Sequence, residues 1–179
     1  MNGMDITQAT ARIAAYMREQ RDRFFAAGRP LEENHAAPMK PFFSDDLLGK
    51  VRIAEKSGRK IPEPPFYQEA RALGIQNLPS LNHMASLTFV DALVFPGSAV
   101  ARDLFHALVH AAQFEALGVE IYMELYVRAY LHANRNILVP LEAHAFALDT
   151  RFAASPQAGF SVEEEVRLWV RSGRYAAMP

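Results

Sequence analysis

His106 and His110 lie four residues apart in Asp103-Leu104-Phe105-His106-Ala107-Leu108-Val109-His110-Ala111-Ala112-Gln113. The stretch reads as a helix, in which four residues make just over one turn, so both imidazoles leave the same face. One helix then offers two nitrogens to a single metal ion, and zinc suits this spacing. The position that decides the chemistry is Ala107. In the pattern H-E-x-x-H a glutamate stands there as general base; this chain reads H-A-x-x-H. The ligand spacing is present and the base is missing.

A zinc site that does chemistry needs a third protein ligand and one open position. Val139-Pro140-Leu141-Glu142-Ala143-His144-Ala145-Phe146 offers two candidates. Glu142 opens a helix, where a carboxylate is electrostatically favoured. His144 lies two residues on, about 200° around that helix, so the two cannot serve one ion. Glu142 is the expected ligand, with His144 as the alternative. Gln113, one turn beyond Val109, is expected to support a ligand from behind or replace one.

Other elements must position these groups. Helical spacing of Ile13, Tyr16, Met17 and Phe24 predicts a helix over 5–27, capped by Asp5 or Thr7 and stopped by Gly28-Arg29-Pro30. Residues 29–46 read as an irregular connection. Alternation predicts a short strand over 51–54, a turn over 56–60 and, past several prolines, a short helix over 67–73 ended by Gly74. Residues 87–95, β-branched and aromatic, predict one strand ended by Pro96-Gly97. The histidine helix follows over about 99–117 with Gly118 as its stop, then a helix over 119–133 carrying Tyr122, Tyr126 and Tyr130 on one face. Pro140 suits the first turn of a helix to residue 152. A last helix is predicted over 162–170, with Ser161 and Glu164 resembling a capping box. The fold class is α+β and mostly helical, in one domain over 1–179.

Composition narrows the function. The 179 residues include no cysteine, so disulfides, thiolate ligands and a Cys nucleophile are excluded. A formal charge of −1 supplies no field for nucleic acid. No segment approaches the roughly 20 apolar residues of a membrane span, and residues 1–7 lack the features of a signal peptide. A cytoplasmic location is the expectation.

The segment 87–152 resembles an uncharacterised bacterial zincin-like family related to the gluzincin metallopeptidases. Its members look like a strand, then F-H-E-L-V-H-x-x-Q-[YF]-x-x-L-G, a tyrosine-rich helix, and I-P-L-E-x-x-A-[YF]. This chain carries Phe105-His106-Ala107-Leu108-Val109-His110, Gln113-Phe114, Leu117-Gly118, Pro140-Leu141-Glu142 and Ala145-Phe146. The resemblance implies a zincin-like domain with its metal core at about 87–152. It implies Zn2+ held by His106, His110 and Glu142, and a peptide or protein substrate paired with the strand, through Thr88, Phe89 and Val90.

Loss of a positioned general base costs about 10²–10⁴-fold in rate. Keeping every ligand while losing only the base is what an engineered Glu→Ala variant does, and that is the leading expectation. A natural pseudoenzyme that binds peptides or proteins is the alternative. A substitute base among Glu115, Glu120 and Tyr126 is a third possibility, with Glu115 pointing about 140° away from His110. Tyr126, Tyr130, His144 and Arg128 are candidates for stabilising an oxyanion. A purely structural helical domain with a fortuitous histidine pair stands as the non-metal reading.

Overall fold

A computed structural model describes residues 6–56, 58, 60–64, 66–72, 77–133 and 136–177. Helix α1 (Ile6–Ala27) buries Ile13, Ala14, Tyr16 and Phe24, the face its periodicity demands. Thr7 lies within it, and Asp5 lies outside the described residues. Gly28 ends it for a steric reason. A Cβ there would stand 2.9 Å from the Cβ of Arg52 and 3.0 Å from the Phe24 carbonyl.

The connection after α1 is more regular than its composition suggests. It contains β1 (Arg29–Pro30), one helical turn α2 (Glu33–Ala36) and α3 (Asp45–Lys50). Ser44 caps α3 by accepting from the Leu47 amide at 3.2 Å. Strand β2 (Arg52–Glu55) and helix α4 (Tyr67–Ala72) follow the sequence reading closely. Leu73 and Gly74 lie outside the described residues, as do Ser57 and Arg59 of the expected turn.

The expected single strand over 87–95 is a hairpin of β3 (Leu87–Phe89) and β4 (Ala92–Phe95). Val90 turns the chain with φ 63°, an unusual conformation for a β-branched residue. The turn is clamped: Arg21 of α1 grips the Asp91 carboxylate at 2.7 and 2.8 Å, and the Asp91 carbonyl accepts from the Arg52 amide at 2.9 Å. The sheet order is β1-β2-β4-β3, with β2 and β4 parallel and the other pairs antiparallel. Every residue of β4 is buried, as a strand covered on both faces requires. Ala92 and Val94 join Phe89, Tyr16 and Phe24 in one apolar cluster; Leu93 and Phe95 join the larger cluster with Leu104, Phe105 and Leu108.

Helix α5 (Ala101–Ala133) is two helices joined at Gly118, whose φ of 73° and ψ of 162° are not helical. This agrees with Gly118 as the expected stop. Helix α6 (Pro140–Ala154) opens on its proline, and α7 (Val162–Arg171) is capped by Ser161, which accepts from the Glu164 amide at 3.2 Å. The molecule is mostly helical with a small mixed sheet, α+β in class. Among the described residues no helix is long and apolar enough to cross a membrane.

Candidate metal centre

The first half of α5 has two apolar-facing sides. Phe105 points into an aromatic core, with ring centroids 4.4 Å from Phe152 and 5.4 Å from Phe42. His106 and His110 point the other way, and the first turn of α6 brings Glu142 across to meet them. The donor atoms of these three residues all lie within 4.8 Å of one another. His106 Nε2 and His110 Nε2 are 3.1 Å apart, and Glu142 Oε2 is 3.7 and 3.5 Å from them. A tetrahedral zinc with bonds of about 2.0–2.1 Å spaces its ligand atoms about 3.3–3.4 Å apart, so the triangle is of the right size.

The partners behind the imidazoles fix which nitrogens face inward. Asp149, seven residues and two turns beyond Glu142, places Oδ2 2.8 Å from His106 Nδ1. A carboxylate accepts, so His106 carries its proton on Nδ1. Gln113 donates through Nε2 to the Leu141 carbonyl at 3.0 Å, which turns its Oε1 toward His110 Nδ1 at 2.9 Å. His110 therefore also carries its proton on Nδ1, with the Tyr122 oxygen a second acceptor at 3.1 Å. Both Nε2 atoms then present lone pairs to each other and to a carboxylate. Three acceptors this close in a buried site could hold a cation between them.

The titration behaviour fits. Burial favours the neutral form of Glu142, but His110 and His106 outweigh it and hold the carboxyl well below the usual carboxylate range. Burial likewise opposes charging His106, and Glu142 and Asp149 outweigh it and raise its pKa. In the metal-free protein a proton fills the role of the cation. Asp149 is itself anchored by Arg102 at 2.7 Å.

All three donors belong to the wall of one cavity of about 510 Å³, lined largely by apolar side chains such as Ile13 and Met17 of α1, Phe66, Leu78 and Leu87, and Met123 and Val127 of the second half of α5. Thr88 and Phe89 lie in that wall; Val90 does not, because it makes the hairpin turn instead. Ala107 is fully buried and outside the wall, its carbonyl accepting from the Thr88 hydroxyl at 3.1 Å. Tyr126 is in the wall and donates to Asn136. Burial raises its pKa well above the ordinary tyrosine value, so it is a neutral donor rather than a base.

Other candidates lie elsewhere. Glu115 pairs with Lys50 at 2.7 Å, Glu120 with Arg18, and Arg128 with Glu124 one turn back on its own helix. His144 is turned away from the triad. It accepts from the Tyr175 hydroxyl at 2.7 Å and stacks on Trp169, and burial pushes its pKa down to about 4. Gln113, by contrast, is where its spacing placed it. Asp149 is the residue the sequence reading missed, although its offset of seven from Glu142 marks the same helix face. Compared with protein-family models, curated proteins and solved structures, the chain matches none of them.

Proposed function

We propose that the chain is a zinc-binding protein whose site is that of a zincin-like, peptidase-like hydrolase without its general base. The observation that carries this reading is the inward-facing triangle of His106 Nε2, His110 Nε2 and the Glu142 carboxylate. Its two imidazoles are locked from behind by Asp149 and Gln113. Zinc held there supplies Lewis acidity toward a carbonyl or a water molecule. The chain's own residues do the rest. Asp149 and Gln113 orient the imidazoles, and Glu142 offsets part of the ionic charge. The neutral Tyr122 and Tyr126 hydroxyls lie in the wall of the same cavity. What is lacking is a proton acceptor at position 107, so turnover of a peptide or protein substrate is expected to be weaker by about 10²–10⁴-fold than with a base in place. An Ala in an otherwise complete motif fits an engineered Glu→Ala variant.

A second reading, a natural pseudoenzyme that binds peptides or proteins without cleaving them, is favoured by one feature. Ala107 is fully buried outside the cavity wall, so its side chain does not face the space that a substrate would occupy. Zinc content and peptide cleavage measured on this chain and on Ala107→Glu separate the two. One zinc per chain in both, with cleavage only in Ala107→Glu, supports the disabled hydrolase. One zinc in both with no cleavage supports the binding protein. Absence of zinc from both sinks the metal reading.

A further inference from the structure

The cavity behind the metal centre is larger and more apolar than the chemistry at the triad requires. Its 510 Å³ falls within the range of small-molecule sites, about 300–1,000 Å³. Its wall takes in His106 and His110 and, from the second half of α5, Met123, Val127 and Tyr130. Tyr122 touches His110, and Tyr130 is eight residues further along the helix, about 12 Å at the helical rise. The Tyr130 hydroxyl is itself buried and, among the described residues, without a hydrogen-bond partner, so it is not presented to the cavity. The rest of the wall is largely apolar, so a bound molecule would present an apolar body there.

The charges select the other end of that molecule. Zinc with two neutral imidazoles and one carboxylate keeps a net charge of +1, which a single anionic oxygen donor neutralises. Asp149 and Arg102 cancel each other nearby. Asp103, partly exposed in the same wall, repels a second anionic group. The apolar side chains between the two ends give no reason to bury charge there.

Resting on the zinc reading above and extending it to the ligand, we infer that the site takes an amphiphilic carboxylate with an apolar body. Its carboxylate sits at the metal and its apolar body fills the space beside the second half of α5.

The test is calorimetric titration of zinc-loaded and EDTA-treated full chain with acetate, hexanoate, decanoate and decanedioate, with zinc content measured on the same samples. Affinity is expected to rise about fourfold per added methylene from hexanoate to decanoate. Decanedioate is expected to bind at least tenfold more weakly than decanoate, and zinc removal to weaken decanoate at least tenfold. Val127→Trp, which fills the middle of the cavity, is expected to keep one zinc per chain while decanoate weakens tenfold or more. One zinc per chain with no dependence on chain length overturns the ligand class and leaves the metal reading standing. Failure to take up zinc overturns both. A blocked apolar tripeptide that binds the zinc form more tightly than decanoate overturns the carboxylate ligand in favour of a peptide.

Discussion

The two sides of the first half of α5 are built from neighbouring residues and do opposite things. On one side Phe105 is enclosed by Phe42, Phe43, Phe152 and Phe160, its ring centroid 4.4 to 6.2 Å from theirs. On the other, His106 and His110 face a cavity whose walls are nearly as apolar but do not meet. The filled side stabilises the fold through burial and close packing. The unfilled side forgoes that contact, and the site occupies the space. Where apolar groups leave room beside converging polar atoms, the room itself points to function.

The sharpest way to break this comparison is to hollow out the filled side. Phe105→Ala is expected to cost about 3–5 kcal/mol in urea unfolding. A loss under about 1 kcal/mol would mean that the aromatic core is not what holds α5 in place. Next in size is His110→Ala on the other side. If about 10–16 kcal/mol of zinc binding is shared over four ligands, one ligand is worth about 100- to 1,000-fold in zinc affinity. Competition with a chromophoric chelator reads this directly, and unchanged affinity would remove His110 from the ligand set. Asp149→Asn keeps the shape and weakens the acceptor behind His106, so a 10- to 100-fold loss of zinc affinity is expected.

A fourth prediction concerns pH. His144 has a pKa pushed down from 6.5 to about 4 by burial, with Arg174 and His110 adding to it. The unfolded chain binds a proton there at higher pH than the folded chain does. Stability therefore falls as pH drops from 6.5 toward about 4, and is fully present above 6.5. His144→Gln should flatten that part of a melting-temperature profile, and an identical profile would show that His144 does not sense the change. The smallest stability effect is expected at Phe146, which is 38% exposed and lies against His106. Phe146→Ala should cost about 1 kcal/mol or less, because its removal extends space that already exists. A cost as large as that of Phe105 would erase the distinction between the two sides.

The sequence made much of this legible. Helical periodicity located α1, both halves of α5, α6 and α7, and Ser161 and Gly118 marked their ends because capping and positive φ have strong residue preferences. The triad was legible because metal ligands obey fixed helix offsets. Asp149 was equally legible by its offset and was passed over. The hairpin at Val90-Asp91 was not legible: the turn carries no Gly or Asn and is held by Arg21, far away in the chain. Nor was β1, since a two-residue strand exists only by pairing with β2. The cavity was hidden for a different reason. Met123 and Val127 have the pattern of core residues, and periodicity reports which face is covered without reporting by what.

Gly118 bears on how much chain the candidate site closes. In a continuous helix, residues 110 and 122 would stand about 18 Å apart. The break returns the chain on itself, so that Tyr122 reaches His110 at 3.1 Å and stacks on Phe114 at 3.8 Å. The triad and Asp149 then fall within 43 positions of one another, from His106 to Asp149. A contact spanning 43 positions closes a smaller loop than the 70 positions from Arg21 to Asp91, at a slightly lower cost in chain entropy. The candidate ligands and their support are thus gathered from one stretch of chain, and an ion bound there would tie both halves of α5 to α6.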